Sequence, residues 1–150
     1  MRNLLKKTFV TILISTYLVG CASKENEARN RIKNYTNIEI PDNAEMVFHQ
    51  KEDVFIHGII SSYTVFSFEE KPSEFLSVHP FEEGPNKNFE DEYNKAFDVY
   101  YKPNYTSRDV PEEYHVDWTN NYFYYKHVWE EVYFIYMENT QLLIVHIVGR

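Results

Sequence analysis

The chain contains few of the residues that build reactive or ligand-cradling sites. Cysteine occurs once and glycine four times in 150 residues. One cysteine excludes an internal disulfide, so packing alone must stabilise the fold. So little glycine leaves no phosphate-cradling loop, and there is no nucleophile turn of the GxSxG type. The six histidines lack the HExxH spacing of a zinc site. The sequence therefore predicts no catalytic residue, no metal and no cofactor, and hence no enzyme.

Long apolar runs are also absent. The most apolar stretch, residues 8–19, would span about 18 Å as a helix at 1.5 Å per residue. A permanent spanning helix must cross about 30 Å of hydrocarbon. Arg2, Lys6 and Lys7 precede the stretch without any acid, and a basic start before a short apolar run is the layout of a secretory signal. We therefore predict a signal peptide over residues 1–20.

The apolar stretch ends at Leu18-Val19-Gly20-Cys21. Two aliphatic residues, a small residue and then cysteine resemble the lipobox of bacterial lipoproteins, and the resemblance covers the first 21 residues. It implies that a diacylglyceryl group is attached to the Cys21 sulfur and that signal peptidase II cleaves between Gly20 and Cys21. Two or three acyl chains on one residue hold a protein stably on a membrane. The implied location is the extracytoplasmic side of the cell membrane, or the outer membrane in a cell that has two.

Positive charge is scarce. The chain has 15 basic and 23 acidic residues. Without the three basic residues of the leader, 12 basic residues stand against 23 acidic ones, a net charge of −11. This balance disfavours nucleic acid, disfavours adhesion to anionic lipid through a basic patch, and favours a cationic partner. Acidity also keeps a domain soluble, so charge alone does not decide whether a partner exists.

The predicted N-terminus of the mature chain is polar. Residues 22–34 contain one large aliphatic residue, Ile32, and as a flexible coil they would reach about 20 Å. A short helix over residues 24–33 is the alternative, but no apolar stripe would bury it. We therefore predict a lipidated N-terminus and polar tether over residues 21–34 and a single domain over residues 35–150.

The first half of that domain predicts an antiparallel pair of strands. Pro41-Asp42-Asn43 predicts a turn, because proline presets φ and Asp or Asn bonds its own backbone. A strand over residues 45–50 follows. After a polar break at residues 51–53, β-branched and aromatic residues alternate over residues 59–68 and predict a second strand, antiparallel to the first.

Two short helices are predicted next. Pro72 suits the first turn of the first helix. Phe89, Tyr93 and Phe97 recur at i, i+4 and i+8 and predict the second, although its end at residues 98–101 also suits a strand.

Acidic residues form several adjacent pairs. Neighbours on a strand point to opposite faces, so such a pair does not make a two-carboxylate catalytic site. We interpret the pairs as solvated turns. They are Glu69-Glu70, Glu82-Glu83, Glu112-Glu113 and Glu130-Glu131.

The C-terminal part predicts a three-stranded antiparallel meander. Its β-rich runs cover residues 122–129, 132–137 and 142–148. Two-residue turns would pair Trp129 with Val132 and Glu138 with Gln141. Both faces of the meander are then apolar. The predicted fold is α+β: a small antiparallel sheet with a C-terminal meander and one or two short helices.

An aromatic face of this sheet is the candidate binding surface. Helices can cover one face, and the other is covered by the loop at residues 102–121 and the tether, or else contacts a partner or ligand. The candidate residues are Trp118, Tyr122, Tyr124, Tyr125, His127, Trp129 and Tyr136.

Two functions fit these features. The first is a non-enzymatic, lipid-anchored protein that binds a cationic envelope or secreted protein, as an inhibitor or immunity protein does. The second is a binder or hydrolase of an envelope polymer or small ligand that uses the Tyr/Trp face and the loop at residues 103–121, since these rings stack on sugars. Aromatic residues around an open concave cleft would favour the second, and a flat or convex aromatic patch rimmed by acids would favour the first.

Overall fold

The computed structural model describes residues 23–54, 59–100, 110–127 and 131–148. The strands are β1 (Glu45–Val54), β2 (Ile59–Ser67), β3 (Glu82–Glu83), β4 (Tyr122–His127), β5 (Val132–Met137) and β6 (Leu142–Ile147). The helices are α1 (residues 23–36), α2 (Ser73–Val78) and α3 (Lys87–Tyr100), with a 3-10 turn at Glu112–Tyr114. The strands form one antiparallel sheet in the order β1-β2-β6-β5-β4-β3. The predicted α+β class with its C-terminal meander is confirmed.

The predicted pairing of the first two strands is confirmed, but β1 is longer than expected. It continues through the polar break predicted at residues 51–53, where Lys51 pairs with Ser62 and Asp53 with Ile60. β1 lies at the edge of the sheet, and charged residues are well tolerated on an edge strand because one side of it is open to water. A polar run was therefore no signal of a strand end here.

α1 replaces the predicted flexible tether. Residues 23–36 are helical, and Ala28 and Ile32, four positions apart, are each 1% exposed. The guanidinium of Arg29 donates to the backbone carbonyls of Ile40 and Pro41, at 3.1 Å each, and to that of Ala44. The tether prediction was wrong because a narrow apolar contact, combined with an arginine that bonds inward, docks a helix that has no wide apolar stripe.

The two predicted helices are present. Pro72 is the N-cap residue of α2. Asn86 caps α3, because its side-chain oxygen accepts a hydrogen bond from the Phe89 N–H at 3.2 Å. α3 remains helical to Tyr100, which excludes the alternative of a strand at residues 98–100. Within the described ranges, no helix has both the length and the apolar character needed to cross a bilayer.

In the meander, the register of β5 with β6 is as predicted and the register of β4 with β5 differs. Met137 pairs with Leu142, which is the predicted register of β5 and β6. Val132 pairs with His127, whereas the two-residue turn had paired it with Trp129. Four residues lie between the paired His127 and Val132, and four also lie between Met137 and Leu142, so the two connections have the same length and only the register of β4 differs from the prediction. A shift of two residues keeps every side chain on its predicted face.

Both faces of the sheet are covered, and the helices divide between them. α1 and α2 cover one face, where Ile32, Phe75 and Leu76 pack with residues such as Phe134 and Val145. α3 and the segment at residues 110–118 cover the other, where Phe89, Tyr93 and Val110 pack with residues such as Tyr133 and Ile144. We call these the α1/α2 face and the α3 face.

Candidate functional site

Six of the seven aromatic residues predicted as a binding surface lie in the described part of the chain, and these six do not share one face of the sheet. Tyr122 and Tyr124 lie on the α3 face, 1% and 6% exposed, with half-buried Trp118 packed beside them. Tyr136 is fully buried on the opposite face. The remaining described members, Tyr125 and His127, are half-buried on that same face, and Trp129 lies outside the described residues.

The correction has a physical reason. Alternation along a strand separates side chains onto two faces, and the prediction joined residues from both. Trp118 then covers Tyr122, with ring centroids 5.1 Å apart, and its indole N–H donates to Asn94 of α3 at 3.1 Å. The segment at residues 110–118 and α3 thus bury the Tyr122 side of the sheet.

The buried tyrosines on the α3 face join a polar network at the N-terminus of α3. The Tyr122 hydroxyl donates to the Glu90 carboxylate at 2.8 Å and accepts from the Asn86 backbone N–H at 2.8 Å. The Tyr124 hydroxyl donates to Glu82 at 2.6 Å. Burial raises the pKa of Tyr122 to about 12, so it stays protonated and donates at neutral pH. The network fastens β3 and α3 to the sheet.

Gly84 is part of the same region. A Cβ atom at this position would lie 2.3 Å from Cζ of Tyr122, and the Gly84 N–H donates to the Tyr122 carbonyl at 2.9 Å. The buried ring therefore requires glycine beside it. With every hydroxyl here bonded to a structural group, the network offers no open space to a substrate.

The histidines are separated as their strand positions predict. His146 is fully buried on the α3 face, with its ring centroid 5.5 Å from that of Tyr63 and 5.8 Å from that of Tyr93. Burial lowers the pKa of His146 to about 3. His127 lies on the opposite side of the sheet, against Tyr125. In the part of the chain that the structure describes, no three His, Cys, Asp or Glu side chains are placed to hold a metal ion.

An open groove lies at the end of the sheet where β1 begins and β2 ends. Its first wall is the turn at residues 41–44, closed by a bond from the Ala44 N–H to the Pro41 carbonyl at 3.0 Å. This confirms the predicted turn. Arg29 fixes the turn to α1 through its three bonds to backbone carbonyls, and it lies 5.1 Å from the centre of the Phe66 ring.

The second wall is the segment from the end of β2 to the end of α2. The Phe68 N–H donates to the Gln141 carbonyl at 3.0 Å, which joins this wall to the turn between β5 and β6. Lys71 bonds Glu138 in that turn and lies 4.2 Å from the centre of the Phe123 ring. Both walls are therefore fixed to the core.

The groove consists of two adjoining hollows that share Asn43. The larger, of about 640 Å³, lies between Pro41 and α2. The smaller, of about 410 Å³, lies between the 41–45 turn and residues 67–69. Six carboxylates line the two hollows, which we together call the acidic groove. They are Glu25, Asp42, Glu45, Glu69, Glu70 and Glu74.

Most of these carboxylates face water without an ion-pair partner, and Lys71, the one lysine among the described residues that line the groove, is paired with Glu138. Glu25 is paired with Arg29 at 2.7 Å. The other five are exposed, and none forms an ion pair with any residue that the structure describes. Val78, which is 70% exposed, lies at the edge of the groove beside the buried Phe75. The acidic groove thus combines negative charge with an accessible apolar contact.

The sequence contains a feature that predicts this groove. Glu69-Glu70 was interpreted as a solvated turn and Asp42 as part of another. The predicted antiparallel pairing already requires the start of β1 to lie beside the end of β2, and Glu45 indeed pairs with Ser67. Acids before one strand and after its partner therefore had to meet at one end of the sheet.

Comparison with models of protein families, with curated proteins and with solved structures finds no match for this chain.

Proposed function

We propose that the chain is a lipid-anchored, extracytoplasmic protein that binds a cationic protein partner, without catalysis, as an inhibitor or immunity protein does. The address comes from the sequence: a basic start, a short apolar run and the Leu18-Val19-Gly20-Cys21 motif. Cys21 would carry the lipid, and cleavage between Gly20 and Cys21 would make it the first residue. The membrane is then the first partner of the mature chain.

The acidic groove is the observation that supports the protein partner. Its walls are held by backbone hydrogen bonds and by Arg29, so the backbone that carries its carboxylates is fixed before any partner arrives. A preformed site loses less conformational entropy on binding. Unpaired carboxylates attract a cationic segment over about a Debye length, roughly 10 Å at 0.1 M salt. Val78 adds a small apolar contact, which suits a basic segment with an apolar side.

The alternative function, binding or hydrolysis of an envelope polymer on the Tyr/Trp face, depended on an open aromatic cleft. Tyr122 and Tyr124 are buried beneath α3 and Trp118, and their hydroxyls are bonded to Glu90 and Glu82. Neither of these two tyrosine rings is therefore available as a stacking platform. The alternative therefore has no support from the structure.

Two variants that each lose three negative charges, one in the groove and one elsewhere, test the role of the groove. The mature chain with Cys21→Ser, which lacks the lipid site, is immobilised and used to capture proteins from the envelope and secreted fractions of the source cell. A groove variant carries Glu69→Gln, Glu70→Gln and Glu74→Gln. A matched control carries Asp98→Asn, Glu112→Gln and Glu113→Gln, which are exposed elsewhere. We expect the groove variant to lose several-fold of the captured cationic protein, and the control to keep it.

Salt and the paired variants distinguish the outcomes. Raising the salt from 0.1 M toward 1 M shortens the Debye length to about 3 Å, so capture by the wild-type chain should fall. Equal loss in both variants would mean that only the net charge matters. Capture that resists both salt and the groove substitutions would contradict the proposal.

The lipid anchor is tested separately. In the wild-type chain, we expect the mature protein to partition into the detergent phase and to carry the mass of a diacylglyceryl group on Cys21. Cys21→Ser should abolish both properties. A Cys21→Ser chain that still partitions into detergent would contradict the proposed lipid anchor and would leave the proposal for the groove unaffected.

A further inference from the structure

The helix that follows the predicted lipid site is a fixed part of the folded domain. Ala28 and Ile32 are buried, and Arg29 bonds three backbone carbonyls of residues 40–44. At its C-terminal end, the Thr36 hydroxyl donates to the Ile32 carbonyl at 2.7 Å and accepts from the Ile38 N–H at 3.2 Å. α1 therefore cannot swing away from the sheet as a tether would.

The chain length between the lipid site and α1 is very short. Only Ala22 lies between Cys21 and Ser23, the first described residue of α1. Two steps of about 3.8 Å allow at most about 8 Å between the Cα atoms of Cys21 and Ser23. A flexible tether over residues 22–34 would have allowed about 20 Å. A lipid on Cys21 thus brings the first turn of α1 to the membrane surface.

Charge is distributed unevenly between α1 and the remainder of the mature chain. Residues 23–36 contain four basic and two acidic side chains, a net charge of +2. Residues 37–150 contain eight basic and 21 acidic side chains, a net charge of −13. α3, on the opposite face of the sheet, has two basic and four acidic side chains, a net charge of −2. The helix next to the lipid site is the one whose charge complements an anionic leaflet.

The outer side of α1 is suited to lipid headgroups. Asn26, Asn30 and Asn34 recur at i, i+4 and i+8 and are all exposed, and so are Lys24 and Lys33, although Lys33 also forms an ion pair with Glu39. Neutral amides donate hydrogen bonds to phosphate oxygens, and cations near an anionic surface are favourable within about 10 Å at 0.1 M salt. α3 packs on the opposite face of the sheet, so the whole sheet stands between it and a surface that contacts α1.

From these observations we propose that the folded domain sits directly on the bilayer, with the outer side of α1 against the headgroups of an anionic leaflet and α3 facing away. The inference rests on the lipid anchor proposed above. The lipid supplies the attachment, and the charge asymmetry sets the orientation. The net negative charge of the whole domain means that the chain without lipid does not adhere to the same membrane. Both acids of α1 are in ion pairs: Glu25 with Arg29 at 2.7 Å, and the exposed Glu27 with Lys51 at 2.8 Å. Neither therefore opposes this contact as a free charge.

The orientation is measured with single fluorophores on the lipidated mature protein. The lipid blocks the Cys21 sulfur, so one added cysteine can be labelled without competition. Asn30→Cys places the label on α1, and Asn88→Cys places it on an exposed asparagine of α3 as the matched control. The proteins are reconstituted into vesicles of phosphatidylcholine with phosphatidylglycerol that contain a spin-labelled headgroup lipid. We expect quenching several-fold stronger at position 30 than at position 88.

Two changes test the cause. An insertion of about 12 Gly/Ser residues between Ala22 and Ser23 restores a reach of about 20 Å and should remove most of the difference. Lys24→Gln with Lys33→Gln should reduce quenching at position 30 in these vesicles but not in pure phosphatidylcholine. Lys87→Gln with Lys95→Gln on α3, a matched loss of two charges, should leave it unchanged.

The outcomes separate this inference from the anchor. Equal quenching at positions 30 and 88, in protein whose mass shows the lipid on Cys21, would overturn the orientation and leave the anchor intact. Protein that lacks the lipid mass would overturn both. Strong quenching at position 30 in the Cys21→Ser chain would also overturn the inference, because lipid would then not be what holds α1 at the surface.

Discussion

The face of the sheet beneath α1 and α2 is filled mainly by aliphatic and phenylalanine side chains, whereas the face beneath α3 is filled largely by tyrosines and a histidine. On the α1/α2 face, one buried tyrosine, Tyr136, sits among residues such as Phe66, Phe134 and Val145. On the α3 face, the buried tyrosines are Tyr63, Tyr93, Tyr122, Tyr124 and Tyr133. Both faces exclude water, but they do so with different chemistry.

The difference shows how each helix is held. The α1/α2 face gains stability from apolar area and tight packing, which need no particular partner. On the α3 face, hydroxyls must be bonded as they are buried, and the bonds reach specific groups: Tyr122 to Glu90, Tyr124 to Glu82, and Tyr63 to the Tyr114 carbonyl at 2.7 Å. These hydroxyl bonds therefore fix the positions of β3, α3 and the segment at residues 110–118.

The largest effect is expected from a cavity on the α1/α2 face. Phe134 is fully buried, and Phe134→Ala should lower the free energy of unfolding by about 3–5 kcal/mol. Urea denaturation followed by far-UV circular dichroism measures this. Phe134→Leu keeps most of the volume and should cost clearly less. Similar losses in the two variants would mean that this face is not closely packed.

A smaller effect is expected when single hydroxyls are removed, and it should differ between the faces. Tyr122→Phe leaves the buried Glu90 carboxylate and the Asn86 N–H without their partner, which should cost about 1–3 kcal/mol. The Tyr136 hydroxyl has no hydrogen-bond partner among the described residues. Tyr136→Phe should therefore be neutral or slightly stabilising. Thermal or urea unfolding of Tyr122→Phe and Tyr136→Phe measures the two losses in free energy of unfolding. Equal losses would contradict the difference between the faces.

The smallest effect is expected from pH, through His146 on the α3 face. Burial lowers the pKa of His146 to about 3, against about 6.5 in an unfolded chain. The unfolded state then binds the extra proton, so stability is complete above about pH 6.5 and falls as the pH drops toward 3. Between pH 7 and pH 5.5, His146 should lower the free energy of unfolding by roughly 1 kcal/mol.

His146→Phe isolates this contribution. Burial also lowers the pKa of His49, so the wild-type chain should lose somewhat more stability in the same interval than His146 alone accounts for. In His146→Phe, the difference in the free energy of unfolding between pH 7 and pH 5.5 should shrink by roughly 1 kcal/mol. An unchanged difference would show that His146 is not held neutral in the folded state.

Several features were predictable because they depend on local rules. The register of β5 and β6 follows from a two-residue turn at Asn139-Thr140, and Met137 does pair with Leu142. The faces of the meander follow from alternation, and they remain correct although β4 is shifted by two residues. The helix containing Phe89 and Tyr93 follows from its spacing, since both side chains are buried.

Other features were not predictable from local patterns. α1 was predicted as a tether because its apolar contacts are only Ala28 and Ile32, and its other attachment is the bonding of Arg29 to carbonyls 11–15 residues further along the chain. The aromatic binding surface was predicted because nothing in the sequence states that residues 110–118 and α3 cover Tyr122. The acidic groove is an intermediate case. No local pattern predicts it, but the predicted pairing of β1 with β2 places its acids at one end of the sheet.

The sequence by itself determined where the strands of the meander lie and which side chains share a face, because steric alternation along a strand acts over neighbouring residues. It also contains Leu18-Val19-Gly20-Cys21, whose resemblance to a lipobox is the basis of the proposed address of the protein. Only the tertiary structure decided which elements cover each face, that α1 is part of the domain, and that acids from two turns meet in one groove. Those outcomes depend on contacts between residues far apart in the chain. Such a contact stabilises the fold only after both partners have been ordered, and a local pattern in the sequence does not report it.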